Sequence, residues 1–328
     1  MKKKKDPIFK ICFDYSKNPH SSDANAWVDF AEILCLTNPD KTVSRADIAT
    51  IVKSSKLGGN TNVLEFLDES TTSRPEEVDK ISRKSHEVFN YIGARIEHYK
   101  EFYPFRLSKD RKTLYSIQNL TRNHYFYIFL LFCSNLRLCD KKVASLLTAN
   151  FENLTLGNFR SLFPHDASFI SFGTKPKTSG NKIKKDSLLK KLEKLSKLID
   201  LPLRPETNET NFPSNNTGDG GIDHVGWITT SPKDPIRDTV FMFGQCACGE
   251  EWEKKTYEVC RGNIGKYFSL NKDFTGVFYM PRSYRNTSFH WVNSSNVIGV
   301  HFMDRYRILF SLKKSLKVTS YKKSILGQ

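Results

Sequence analysis

Apolar positions recur at helical spacing through the first half of the chain and give way to short β-prone runs in the second. Behind a cap at Ser22 or Asp23, Trp27, Phe30, Ile33 and Leu34 mark a helix that stops before Asn38-Pro39. Ser44 offers an N-cap to a second helix through Ala46, Ile48, Ile51 and Val52, ending at Gly58-Gly59. Two short helices joined by a turn are either a DNA-reading helix-turn-helix or ordinary core helices. Ser73-Arg74-Pro75-Glu76-Glu77 reads as a helix start, with a serine cap, proline in the first turn and acids at the positive end of the dipole. An apolar stripe from Val78 through Val88, Ile92 and Tyr99 carries that helix to Tyr103-Pro104. Ile117 to Leu138 is almost continuously apolar, as the centre of a helical domain would be, and a further helix is expected over Lys141 to Phe151. These elements predict an all-α N-terminal domain over residues 1–170.

After Phe172-Gly173-Thr174 the pattern changes. Lysines crowd the stretch from Lys175 to Lys197, including Lys184 and Lys185, while Leu188, Leu192, Leu195 and Ile199 share one helical face. Strands are then expected at Ile222 to Trp227 and Val240 to Cys246, a helix from Trp252 to Tyr267, and strands at Thr275 to Met280 and Asn296 to Met303. The order helix, strand, strand, helix, strand predicts an α/β domain over residues 175–328.

Charge narrows the partners. With 51 Lys and Arg against 35 Asp and Glu, the net charge is +16, which favours a polyanion. Either nucleic acid or a membrane surface would satisfy it, and a basic, solvated surface is the plainer reading. Lys184 and Lys185 of the lysine-rich segment, Lys255, and an arginine group at Arg282, Arg285, Arg305 and Arg307 are candidate phosphate contacts; the arginines equally well pair with nearby acids. Seven scattered cysteines point to reduced thiols, and the lone Cys246-Ala247-Cys248 motif is sparse for zinc. The basic start MKKKKDPIF lacks the apolar region of a secretory signal, and Tyr125 to Cys133 is too short to span a bilayer. A cytoplasmic protein without a membrane partner is expected.

Candidate chemistry concentrates between Thr217 and Lys255. Gly218, Gly220 and Gly221 surround Asp219 in a tight turn that feeds a strand beginning at Asp223. The neighbouring strand ends at Gln245-Cys246-Ala247, and Lys254 and Lys255 follow within a helical turn or two. A carboxylate, an amide oxygen and lysines brought together by two adjacent strands form a site for a hard divalent cation and a phosphate. Asp219, nearer the turn's apex, is expected to cap the turn through its side chain.

The segment GDGGID followed by a strand ending in Gln-Cys-x resembles the active-site hairpin of Mrr-type restriction endonucleases, within the PD-(D/E)xK nuclease superfamily. The resemblance covers about 40 of the 328 residues. It implies a restriction-endonuclease-like mixed sheet flanked by helices. It also implies Mg²⁺ or Mn²⁺ held by Asp223, Gln245, a backbone carbonyl near Cys246 and an acid from the helix before the Asp strand. Glu193 is the only acid inside the lysine-rich helix and takes that role, with Glu206 and Glu209 as fallbacks. Ala247 stands where the family carries its catalytic lysine, so Lys254, or else Lys255, replaces it. The implied activity is cleavage of DNA phosphodiester bonds in bacterial restriction or anti-phage defence, as a homodimer or beside another subunit.

Two other functions remain open at this level. A nuclease fold lacking full metal ligation would bind DNA or RNA without cutting it, as a subunit of a larger complex. An interaction protein would use the basic surface for an acidic protein partner.

Overall fold

A computed structural model describes residues 13–17, 19, 23–56, 75–164, 167–172, 186–229 and 239–315. The chain forms two compact units, one made of residues up to Leu147 with Arg282–Val292, the other of Thr148–Pro281 with Asn293–Leu316. Both are mixed α/β, each with a sheet flanked by helices. The division falls inside a continuous helix, where no shift of composition marks it, whereas the composition itself changes near residues 170–175.

In the first unit, Asp23 accepts a hydrogen bond from the Asn25 backbone and starts α1 (Ala24–Thr37), which is buried on nearly every face. That burial makes α1 a core helix. Ser44 and Asp47 exchange side-chain-to-backbone bonds of 3.1 and 2.7 Å and open α2 (Arg45–Lys56). α3 (Pro75–Tyr99) is the long amphipathic helix, and α4 (Arg122–Cys133) the apolar one, shorter than the apolar run that encodes it. The expected serine cap at Ser73 lies outside the described residues.

The N-terminal region is not all-α. β1 (Thr42–Ser44), β2 (Phe105–Leu107) and β3 (Thr113–Ser116) form an antiparallel sheet in the order β1-β3-β2. Strands of three or four residues complete too few alternations for a period of two to stand out beside long helical stripes.

A polar network sits inside this unit. Arg95 of α3 donates to Asp29 at 2.6 Å and Glu32 at 2.9 Å, both on α1 and all three buried. Tyr103 and Tyr127 donate to Glu32, and Ser134 to Asp29, at 2.7–2.9 Å. Buried charges persist only with such partners.

The second unit begins within α5 (Lys141–Arg160), at Thr148, and contains a five-stranded sheet. Its order is β4 (Ser168–Ser171), β5 (His224–Thr229), β6 (Thr239–Cys246), β7 (Phe274–Tyr279) and β8 (His301–Met303). β4, β5 and β6 pair antiparallel; β6, β7 and β8 pair parallel. α6 (Leu188–Ile199) buries Leu188, Leu192, Leu195 and Ile199, the stripe read from the sequence. The stretch from Trp252 is not one helix: it breaks into α7 (Trp252–Lys255), a 3-10 turn at Thr256–Val259 and α8 (Arg261–Ile264). The strand expected from Asn296 begins only at His301, after a 3-10 turn, and α9 (Arg305–Ser315) follows it. Among the described residues no helix is long and apolar enough to cross a membrane.

Replacing Arg95 with alanine leaves Asp29 and Glu32 buried without their cation. The unfolding free energy is expected to fall by about 3–5 kcal/mol in urea titration. A loss under about 1 kcal/mol would show that the two carboxylates do not depend on Arg95.

Candidate functional site

The glycine turn sets the entrance to β5. Gly220 and Gly221 have φ of 64° and 79°, a region L side chains rarely adopt, and a Cβ on Gly221 would meet the Glu258 side chain at 2.6 Å. Asp219 accepts the Gly221 backbone N–H at 3.0 Å, the turn-capping role expected of it. Lys191, completely buried on α6, donates to the carbonyls of Thr217 and Gly218 at 3.0 and 2.9 Å. Tyr267 and Asn263 donate to the Gly220 carbonyl, each at 3.2 Å. The turn is thus held from α6 on one side and from the α8 region on the other.

Asp223 stands directly before β5 and is 5% exposed. Its backbone N–H donates to Gly244 at 2.8 Å, and its Oδ2 accepts the Cys246 backbone N–H at 2.7 Å. Gln245 is 3% exposed; its Nε2 donates to Glu258 at 2.5 Å, while its Oε1 is buried and accepts no hydrogen bond among the described residues. A buried amide oxygen without a donor is uncommon, and Asn158 Oδ1 in the same unit shares that state.

Burial pushes the Asp223 carboxyl well above the usual carboxylate range, and the charges of Asp219 and Glu152 raise it further. The Cys246 N–H and the cation of Lys255 oppose this. Glu258 is raised as well, first by burial, with Lys255 lowering it and Asp219 raising it. The site therefore gathers oxygen groups, several of them acidic, with one nearby lysine.

Behind it, His224 is completely buried and its pKa is lowered to about 4 by burial, so the ring is neutral at physiological pH. Its Nε2 lies 3.0 Å from Thr155 Oγ1 and 3.4 Å from Cys246 Sγ. Burial pushes the Cys246 and Cys248 thiols far up, which favours the protonated form of both.

Of the residues singled out from the sequence, Asp223, Gln245 and Cys246 come together. Glu193 does not join them: it lies on the exposed side of α6, opposite the buried leucines. The helical acid whose charge reaches Asp223 is Glu152, on α5, about one turn before Thr155. Glu206 pairs with Arg204 at 3.2 Å, and Glu209 is exposed. Lys254 turns to solvent and pairs with Glu251, whereas Lys255 is the lysine whose charge acts on Asp223 and Glu258. Consecutive helical residues point about 100° apart, so only one of two adjacent lysines can face the site.

The arginine expectations change too. Arg305 is completely buried and donates its Nε to the Pro281 carbonyl at 2.8 Å, so its guanidinium holds the fold and does not meet a phosphate. Arg282 lies 3.6 Å from Asp23 in the first unit. Lys184 and Lys185 lie outside the described residues. Glu152 and Glu258 were missed because neither belongs to the glycine-turn motif. Glu152's one signal was an acid on the helix immediately before the first strand of the large sheet.

Among the described residues, no three His, Cys, Asp or Glu side chains already stand in metal-holding geometry. The donor chemistry nevertheless suits a hard cation: a buried carboxylate, an orphaned amide oxygen and neighbouring acids.

A buried carboxyl with a raised pKa keeps a proton that the unfolded chain has released. Its contribution to stability is present below the unfolded value and is lost as pH rises through the folded value. Asp223→Asn is therefore expected to raise the melting temperature, by a margin that grows between pH 4 and pH 8. An equal margin at both ends would show that the Asp223 carboxyl is not perturbed. Family models, curated proteins and solved structures yield no match to this chain, and the site's own chemistry is the ground for a functional reading.

Proposed function

We propose that the second unit is a metal-dependent endonuclease acting on DNA phosphodiester bonds, built on a PD-(D/E)xK-like sheet. One observation carries the reading: Gln245 Oε1 is buried without a partner on the strand that hydrogen-bonds the raised Asp223 carboxyl. Surplus negative charge around oxygen donors is what a bound divalent cation neutralises. Asp223, Gln245 and Glu152, with the Cys246 backbone carbonyl, are the groups that would hold Mg²⁺ or Mn²⁺. Bound there, the ion would polarise the scissile phosphate and lower the pKa of a coordinated water.

The chain's own residues have separate tasks in this reading. The Cys246 N–H fixes one Asp223 oxygen and so orients the carboxylate. Glu258 holds the Gln245 amide nitrogen, which turns the amide oxygen away from it. Lys255 supplies positive charge for the phosphate as its negative charge develops. The resemblance to restriction nucleases extends the proposal to a bacterial restriction or anti-phage role, with a homodimer or further subunit for cutting both strands.

A second reading has its own support. Gln245 brings no charge to the cation, and buried Ala247 occupies the place of the family's lysine. Such a site would favour a nuclease fold that binds DNA or RNA without cutting it.

Plasmid DNA incubated with the full chain in Mg²⁺ or Mn²⁺ separates the two. Cleavage abolished by EDTA and by Asp223→Ala is expected, with Lys255→Ala slowing it by about 10²–10³-fold. Lys254→Ala should stay within a few-fold of the wild type. Nucleic-acid binding without cleavage in any metal would favour the second reading. Cleavage undiminished in Asp223→Ala would remove the site from both.

A further inference from the structure

The first unit carries a basic trough that the Asp223 site does not use. α3, 25 residues and about 37 Å long, leaves Ser82, His86 and Asn90 exposed at successive intervals of four residues, with Gly93 next. Grooves run end to end beside this stripe: His86 lines the first and second, Asn90 the second and third. α2 contributes Arg45 and Lys53 to the trough, and the β2–β3 hairpin contributes Arg106, Arg111 and Lys112.

Most of these cations are uncommitted. Lys53, Arg106, Arg111 and Lys112 have no carboxylate partner among the described residues. The acids alongside are mostly engaged: Asp110 accepts from Ser108 and the Lys112 backbone within the hairpin, and Glu87 pairs with Lys84 at 2.9 Å. Arg45 lies 3.1 Å from the His86 ring and ties α2 to the stripe.

Gly93 is the most telling residue of the trough. A glycine inside a helix costs roughly 0.5–1 kcal/mol relative to alanine. Here a Cβ would collide with Arg111 Nη2, so the glycine lets a hairpin guanidinium lie against the helix.

We infer that this face docks duplex DNA, with the Ser82, His86 and Asn90 stripe of α3 toward the base edges of the major groove. Lys53, Arg106, Arg111 and Lys112 take the flanking phosphates. Short polar side chains on an exposed helix suit base edges, asparagine being a two-point partner for adenine, and arginines and lysines beside them suit the backbone. The surface stands on the first unit alone and does not require the metal chemistry at Asp223.

The test is anisotropy of a dye-labelled duplex of about three helical turns with the full chain in EDTA, where cleavage plays no part. Lys53→Glu/Arg111→Glu/Lys112→Glu is expected to lose at least ~100-fold in affinity and to lower the log–log salt slope by about three. Gly93→Ala should give a smaller loss by displacing Arg111. In the unmodified protein, duplex should shield Lys53 and Lys112 from acetylation, a readout that decides even where the triple variant fails to fold. A folded triple variant with unchanged affinity and slope overturns the inference. So do lysines that stay equally reactive, a wild type that does not bind duplex, or preference for polyglutamate over duplex. Lost cleavage in Asp223→Ala with binding retained would concern the second unit only.

Discussion

The pairing of β5 with β6 is the constraint on which the candidate site depends. With His224 opposite Gly244, the Asp223 N–H meets the Gly244 carbonyl and the Cys246 N–H meets the Asp223 carboxylate. A slip of one residue would turn every side chain of β5 to the other face of the sheet. Asp223 would then lose the strand end where Gln245 and Glu258 lie. The glycine turn ahead of it is built for that entry, since Gly221 has both a positive φ and a close approach to Glu258.

The two units bury charge in opposite ways. In the first, Asp29 and Glu32 share Arg95 and receive tyrosine, serine and asparagine donors, so the network is nearly self-sufficient. In the second, among the described residues, Asp223 has one backbone donor, acids for neighbours, and a buried amide oxygen on the next strand without a donor. A folded chain gains nothing in stability from the second arrangement. Perturbed groups of this kind concentrate where a ligand or a reaction needs them, and this contrast separates a structural network from a candidate site.

Lysine serves three ends here according to what surrounds it. On α6 most lysines face out, yet Lys191 is buried and spends its charge on two carbonyls of the glycine turn. Lys254 and Lys255 are neighbours in sequence, but one answers Glu251 and the other acts on Asp223. A net charge of +16 therefore says that a polyanion is a suitable partner without saying which lysines would meet it.

Much of the local structure was determined by the sequence itself. The caps at Asp23 and Ser44, the leucine stripe of α6 and the glycine turn before Asp223 are short-range matters of hydrogen bonding, periodicity and allowed φ. Asp223, Gln245 and Cys246 were legible because they lie on adjacent strands about twenty residues apart. Tertiary structure decided the rest. It brought the charge of Glu152 to bear on Asp223 and left Glu193 on the exposed side of α6, and it sealed Arg305 inside the fold. It also paired β1 with the β2–β3 hairpin about seventy residues further on, each strand too short to announce itself. Sequence spacing carries contacts within a turn or hairpin, but which distant side chains share a buried volume is fixed only when the elements pack.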